Sequence, residues 1–293
     1  MRTSEIDSSG LTGGVAASLG TLHHDTYFDR MRAGLGDKAQ LLEHLVPGTV
    51  LDVGAGDGSL VRVMRDQGWE ATGLDASPAA VARSGGLVTL GEAGELAELF
   101  VPESFDNVVF CSSLHEIWSY GNGRETWTDA VRQAARLLAP GGRLVIRDGV
   151  APAEPAQPWR LTLADPADGF AFFDQWRQQS GELVGPVQLD KVGDALIGPA
   201  GQLTEFLFTY GWGWASLPRE GSEFYTAAGS HAGCSRAVTR ATGLLPRFSR
   251  AYLQPGYRQQ FDRLGRLAAQ PGEGAPVPQQ WPNSNALWVF AKR

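Results

Sequence analysis

The stretch Val50-Leu51-Asp52-Val53-Gly54-Ala55-Gly56-Asp57-Gly58-Ser59-Leu60 sets an apolar run against three glycines at alternate positions and then resumes as an amphipathic segment. That order reads as strand, tight turn and helix. Glycine lets backbone approach a ligand with no Cβ in the way, and the free N–H groups that open the following helix receive a carboxylate or phosphate. A nucleotide-like ligand is therefore expected at the turn. Further on, Trp69-Glu70-Ala71-Thr72-Gly73-Leu74-Asp75 ends a second apolar run in an acid, roughly 20 residues past the loop, where a carboxylate accepts both hydroxyls of a ribose. Two later groups are equipped to move protons or bind polar atoms: His115-Glu116 after the run Phe105-Asp106-Asn107-Val108-Val109-Phe110-Cys111, and Asp148 after Leu144-Val145-Ile146-Arg147.

Spacing narrows the ligand. The dinucleotide fingerprint G-x-G-x-x-G/A needs a small third residue at position 59, whereas here the third glycine is Gly58 and position 59 is Ser. With Asp52 two residues before Gly54, the stretch instead resembles the D-x-G-x-G-x-G motif of class I S-adenosylmethionine (SAM)-dependent methyltransferases. Other landmarks follow in that family's order: Asp75, then Leu87-Val88-Thr89-Leu90 with Gly91-Glu92-Ala93, then Phe105 to Cys111, then Leu137-Leu138-Ala139-Pro140-Gly141-Gly142-Arg143 leading into a fifth strand. The resemblance covers residues 48–150 and, more loosely, the C-terminal segment. It implies SAM as cofactor. By position, Gly54, Ala55 and Gly56 pass close to the methionine part, and Asp52 supports its amino group directly or through water. Asp75 and Ala76 take the ribose, and Glu92 and Ala93 lie by the adenine, where the family more often has Asp than Glu. Ser112 completes the set of cofactor-binding candidates.

Methyl transfer from a sulfonium is an in-line displacement with an already activated donor, so holding the reactants together and excluding water is the main task. An oxygen or nitrogen acceptor also has a proton to lose, which makes a His or carboxylate beside it a candidate base. Ser112-Ser113-Leu114-His115-Glu116-Ile117 falls on the expected acceptor side, with His115 the first candidate base and Glu116 the second. His115 has a structural reading too, as a packed histidine or helix cap. His24 is a third candidate, set against the plainer reading of a surface histidine. Tyr27, Trp118, Tyr120, Trp212 and Trp214 are candidates for lining an acceptor pocket because they flank glycine-rich turns. Asp148 either binds the acceptor or a cation, or caps a turn or pairs with Arg147.

A metal-dependent catechol-type methyltransferase would have Asp after the fourth strand and Asp-Asn after the fifth. The chain has Ser-Ser-Leu-His-Glu and Asp148-Gly149, and no metal is expected. Nor does Asn/Asp-Pro-Pro-Tyr/Phe follow the fourth strand, as it would in enzymes acting on nucleic-acid bases or protein glutamine. The function implied is methyl transfer to a small, apolar or aromatic organic molecule. Two alternatives stay open: an enzyme that uses the bound sulfonium for a cyclisation or rearrangement without methylation, and a nucleotide-dependent oxidoreductase. Cofactor motifs report binding and not turnover.

These residues need a frame to hold them. From Thr49 to Arg147, strands alternate with helical segments at Gly58 to Gln67, Ser77 to Ser84, Ala93 to Phe100 and Arg124 to Ala139. That rhythm predicts an α/β fold with a Rossmann-like, doubly wound sheet; the resemblance implies seven strands with the last antiparallel. Ligands in such sheets bind outside the carboxyl ends of strands, and Gly54, Asp75, Glu92, His115 and Asp148 each follow a predicted strand end. Four regions are expected: an N-terminal lid over 1–47, the SAM-binding core over 48–150, an inserted substrate cap over 151–230, and a C-terminal part, 231–293, that completes the sheet. The cap opens with the proline-rich Ala151-Pro152-Ala153-Glu154-Pro155-Ala156-Gln157-Pro158 and is dense in Trp, Phe and Tyr. A helix from His231 to Thr242 and strands from Arg247 to Leu253 and Ala286 to Ala291 are expected after it.

Composition excludes several other classes. With 293 residues and 43 % apolar content the chain can bury a large core. Its two cysteines, Cys111 and Cys234, have no metal spacing and read as small core residues in a reducing cytoplasm. A net charge of −7 with no basic stripe disfavours bulk nucleic acid as a partner. Nowhere do about 18 apolar residues run together to span a bilayer, and no signal-peptide core is present. A monomer or homodimer is expected.

Overall fold

Strand β1, Thr49–Val53, is buried at every position after its first residue, as a strand covered on both faces must be. In the computed structural model, which describes residues 34–181, 183–272 and 274–293, it is preceded by the short helix α1, Leu35–Lys38, and a 3-10 turn, Ala39–His44. His24 and Tyr27 lie outside the described residues. Helix α2, Ser59–Asp66, leads to β2, Glu70–Asp75, which pairs parallel with β1 so that Val53 faces Leu74. Helix α3, Pro78–Arg83, has proline in its first turn and is capped by the Ser77 hydroxyl, which accepts the Ala80 N–H. Strand β3, Val88–Leu90, pairs parallel with β2, and α4, Leu96–Leu99, follows. Strand β4, Phe105–Cys111, pairs parallel with β1 on its other side. Helices α5, Leu114–Tyr120, and α6, Arg124–Leu137, precede β5, Leu138–Gly149.

Pro140-Gly141-Gly142 lies inside β5 rather than ahead of it. Gly141 takes a left-handed φ of 80° and the Gly142 carbonyl accepts the Lys292 N–H at 2.9 Å, so the strand starts at the end of α6.

The next elements are β6, Pro158–Leu163; α7, Pro166–Ser180; β7, Asp190–Val192; β8, Ala195–Pro199; α8, Ala200–Trp212; and α9, Leu217–Glu220. Helix α10, His231–Thr242, has the expected bounds: the Ser230 hydroxyl accepts the Gly233 N–H at its start, and Gly243 ends it at φ 74°. It is followed by β9, Leu245–Tyr252; α11, Pro255–Leu264; β10, Gly265–Ala269; β11, Val277–Pro278; and β12, Asn285–Ala291.

The principal sheet has seven strands in the order β3-β2-β1-β4-β5-β12-β9, with its last strand in sequence, β12, antiparallel. A second sheet of five strands, β11-β10-β6-β8-β7, was not expected from the sequence. Strands β10 and β6 pair antiparallel, with Leu267 opposite Leu161, so the aromatic-rich region takes in residues 265–278 as well as 151–230.

The described residues divide into two compact units. One comprises the chain up to Ser113 with Thr128–Val145 and Val289–Arg293; the other comprises Leu114–Trp127 and Ile146–Trp288. In the second unit Phe172, Phe173, Trp176, Phe206, Phe208 and Phe261 are almost wholly buried. Phe206 meets Phe173 at 5.8 Å, Trp176 at 5.6 Å and Tyr210 at 5.3 Å between ring centroids. Cys111 and Cys234 are both buried. No helix among the described residues is long and apolar enough to cross a membrane.

Truncating the ring at the centre of this cluster tests its weight: Phe206→Ala is expected to cost about 3–5 kcal/mol in a denaturant titration, since the cavity cannot close between rigid aromatic neighbours.

Candidate active site

In the first unit the glycine loop is tied down before any ligand arrives. Gly54 and Ala55 N–H donate to the Leu74 carbonyl at 2.8 and 3.0 Å, joining the end of β1 to the end of β2. Gly54 has φ 77°, and a Cβ there would lie 2.4 Å from the Ser113 Cβ; at Gly56, with φ 56°, a Cβ would meet nothing within 4 Å among the described residues. Ser113 is seated by its hydroxyl, which donates to the Val53 carbonyl at 2.6 Å. Ser112 just before it adopts a left-handed φ of 59°, a conformation that costs a non-glycine residue about 1–3 kcal/mol.

Three carboxylates gather at the strand ends of this unit. Asp75 accepts the Gly56 N–H at 2.7 Å on Oδ2 and the Ser77 N–H at 2.8 Å on Oδ1, while its burial pushes its pKa up. Asp52 is buried with Oδ1 unpartnered, and burial, reinforced by Asp75 and opposed by Lys38, raises it to about 7. Glu92 exchanges capping-box hydrogen bonds with Glu95 and keeps a buried Oε1 without a partner; burial, then Glu95, pushes its pKa up. The parallel register aligns these ends, since Asp75 faces Leu90 and its carbonyl accepts the Gly91 N–H at 3.1 Å. Ala55, Ala76, Ala93 and Ser112 lie half-buried in the same turns.

The residues fit SAM. Two buried, unpartnered carboxylate oxygens match the ammonium and amino donors of that molecule, and the open space at Gly56 admits it against backbone. A dinucleotide meets an obstacle instead: Asp57 caps the start of α2, its Oδ1 accepting the Ser59 N–H at 3.1 Å, where a pyrophosphate would sit.

In the second unit His115 is buried between two carboxylates. Asp148 Oδ1 lies 2.6 Å from His115 Nδ1, and Asp148 Oδ2 accepts the His115 backbone N–H at 3.1 Å. That assigns the proton on the Asp148 side to Nδ1 and leaves Nε2 to exchange one. Glu223 Oε2 stands 3.6 Å from Nε2, an ion-pair separation longer than a hydrogen bond. Burial opposes charge on the imidazole, but Asp148 and Glu223 outweigh it and hold the His115 pKa well above the ordinary histidine value. The Tyr225 ring stacks on the imidazole with centroids 5.2 Å apart.

Arg219 gathers the remaining charge. Its guanidinium lies 2.5 Å from Glu116 Oε1, 3.1 Å from Glu220 Oε1 and 3.1 Å from Glu223 Oε1. Burial alone would raise Glu223; Arg219, His115 and the Tyr120 hydroxyl, which donates to it at 3.1 Å, bring it below the usual carboxylate range. Glu220 is pushed up to about 8 by burial and by Glu223. His115, Glu116 and Glu223 also offer ligand atoms within 4.8 Å of one another, a set with metal-binding geometry. The guanidinium already supplies a cation to two of the three.

Of the candidates in this unit, the structure joins His115, Glu116, Tyr120 and Asp148 in one network. Trp118 packs edge-on to Phe224 at 6.0 Å, with the Arg124 guanidinium 5.6 Å from its ring centre. Trp212 packs against Tyr257, and Trp214 donates to Asp168 at 2.8 Å and lies against Phe172. Arg147 donates to the Tyr252 hydroxyl at 3.1 Å and to Gln254 at 3.3 Å. Sequence reasoning missed Arg219, Glu220, Glu223 and Tyr225; the one available signal is a run of charge, Arg219-Glu220 and Glu223, inside an otherwise aromatic region.

A seven-stranded sheet with this strand order, and a glycine turn fitted to SAM, define a class I SAM-dependent methyltransferase. The chain belongs to the methyltransferase domain family, whose model matches residues 27–179. SAM is its cofactor, and it is a methyltransferase. Among solved structures it is similar to 1,6-didemethyltoxoflavin-N1-methyltransferase of Burkholderia thailandensis, at 14% identity over 100% of this chain and 93% of that one, with a TM-score of 0.49. It is also similar to a possible histamine N-methyltransferase of Thermotoga maritima, at 12% identity over 92% of this chain and 94% of that one, TM-score 0.48. A search of curated protein sequences gives no significant match.

Replacing the shared cation tests the network: Arg219→Met is expected to destabilise the protein by about 3–5 kcal/mol at neutral pH, because buried carboxylates lose their counter-charge. The loss shrinks as pH falls and those carboxylates bind protons; denaturant titrations at neutral and acidic pH would check both.

Proposed function

We propose that this enzyme methylates an oxygen or nitrogen of a small, apolar or aromatic organic acceptor, and that His115 takes the proton the acceptor loses. The observation that carries the reading is the Asp148–His115 pair, 2.6 Å between Oδ1 and Nδ1, buried two residues after Ser113 in the chain. The rings of Tyr225 beside the imidazole and of Phe224 against Trp118 support an apolar acceptor.

When bound, SAM supplies an electrophilic methyl group on a sulfonium. Asp52 would hold its ammonium group, Asp75 its ribose and Glu92 its adenine, with Gly54, Ala55 and Gly56 passing their backbone beside the methionine part. Ala76, Ala93 and Ser112 would complete the walls. None of these groups needs to react, because the displacement is accelerated chiefly by proximity.

Asp148 keeps the proton on Nδ1, so Nε2 is the atom that receives a proton from the acceptor. Glu223 stabilises the imidazolium that forms. Glu116 is fixed by Arg219 and shapes the site. Tyr120 holds Glu223, and Trp118 offers an aromatic face.

Asp52 has to be ionised to hold an ammonium group, and its carboxyl is raised to about 7. SAM affinity is therefore expected to fall as pH drops below about 7, with proton release on binding at mildly acidic pH. Calorimetry in buffers of different ionisation enthalpy measures this. Asp52→Asn should weaken binding and abolish the proton release; retention of both would refute the assignment.

The base has a signature of its own. With the His115 pKa raised well above the ordinary histidine value, the neutral imidazole that can accept a proton forms only at higher pH, so kcat should climb with pH and level off only above the range of an ordinary histidine. Glu223→Gln removes one of the two anions and should move that rise to lower pH. His115→Ala should lower kcat by about 10²–10⁴ with SAM affinity unchanged. Mass-spectrometric detection of S-adenosylhomocysteine during acceptor screening supplies the assay, and full turnover by the His115 variant would end the proposal.

A further inference from the structure

Helix α8 is apolar along nearly its whole buried length, with Leu203, Phe206, Leu207 and Phe208 in the aromatic core, yet it carries a buried carboxylate, Glu205, 2 % exposed. An ionised group there is costly unless its oxygens are satisfied. Both are: Oε1 accepts the Thr226 N–H at 2.8 Å and Oε2 the Tyr225 N–H at 3.0 Å.

We infer that Glu205 is a positioning residue for His115: its carboxylate fixes the backbone at Tyr225 and Thr226, and thereby the ring stacked on the imidazole and the carboxylate of Glu223. The inference rests on the reading of His115 as base. Three observations carry it. The Tyr225 peptide is clamped from its other side, since a Cβ on Gly149, the neighbour of Asp148, would sit 2.1 Å from the Tyr225 carbonyl oxygen. The Tyr225 ring is held by α8 as well, edge-on to Phe208 at 5.7 Å, so one helix fixes both the backbone and the ring of that residue. Glu223 lies two residues before Tyr225, and its reach to Nε2 depends on where that backbone runs.

A structural filler would not need this chemistry. An apolar residue would suit the surrounding core better, but it would leave two buried N–H groups without acceptors. Burial also raises the Glu205 carboxyl to about 7, with the Thr226 hydrogen bonds opposing the rise, so the clamp itself is proton-sensitive.

The titration uses the full-length protein without an acceptor, and only the turnover arm needs one. Glu205→Gln keeps the size of the side chain but presents an NH2 group to one of the two backbone donors. The His115 imidazole signal, assigned by its absence in His115→Asn, is followed by NMR against pH. The expected result is a titration midpoint at lower pH than in the wild type, as Glu223 and the Tyr225 ring lose their placement, with SAM affinity unchanged by calorimetry. A midpoint equal to that of the wild type in a folded variant overturns the inference and leaves the base assignment standing. Unimpaired turnover by His115→Asn overturns the base assignment instead, while the Glu205 link to the imidazole is still read from the titration. Should Glu205→Gln fail to fold, amide exchange in the wild type decides: the Tyr225 and Thr226 amides are expected to be protected at least about tenfold above pH 7 and to lose protection below it. Exchange at loop rates throughout overturns the inference.

Discussion

The carboxylate of Asp148 accepts three N–H groups, from the backbone and ring of His115 and from Gly149, in a region closed to water. Much of the second unit follows from that one group. A buried carboxylate needs donors, and the start of α5 with its histidine supplies them. A histidine so held becomes a cation, which then calls for a second anion, and Glu223 stands where that anion is needed. Glu223 in turn is made tolerable by Arg219 and Tyr120. The chain of demands runs outward from Asp148, and each partner is a residue that would be expensive to bury alone.

The contrast with the neighbouring aromatic cluster is informative. Phe172, Phe206 and Phe208 fill space at low cost and would do so in many arrangements, because apolar packing tolerates exchange at constant volume. The network of His115, Asp148, Arg219 and Glu223 tolerates little, since removing any one charge strands another. Aromatic packing beside that network, as where the Tyr225 ring stacks on the His115 imidazole, accompanies ion-pair distances of 2.5 to 3.6 Å. The apolar cluster and the charged one thus differ in kind: the first is held by packing, the second by paired charge.

Local spacing made the first unit legible. The glycine loop, Asp75 and the parallel strands are signalled within short windows, and α10 is announced by Ser230 and Gly243 at its two ends. The second sheet is not signalled in this way. Strand β10, Gly265-Arg266-Leu267-Ala268-Ala269, has no clean alternation, β7 is exposed at all three positions, and the partner of β10 lies about a hundred residues earlier in β6. The charged network was hidden for the same reason: Glu116 and Arg219 meet across 103 residues, a separation at which no periodicity operates. His115 and Asp148 could be singled out because each follows a strand end, whereas Trp212 and Trp214 were chosen for flanking glycines and turned out to pack against Tyr257 and Asp168.

The glycine loop shows how one motif can have two physical causes. Read as sequence, all three glycines make room for a ligand. In the structure Gly54 makes room for Ser113 of the same chain, since a Cβ would fall 2.4 Å from the Ser113 Cβ, while Gly56 opens onto free space. Just before Ser113, Ser112 leaves β4 with a left-handed φ of 59°. Gly54 is therefore required by the protein's own packing, whereas at Gly56 no described residue claims the space that a Cβ would take.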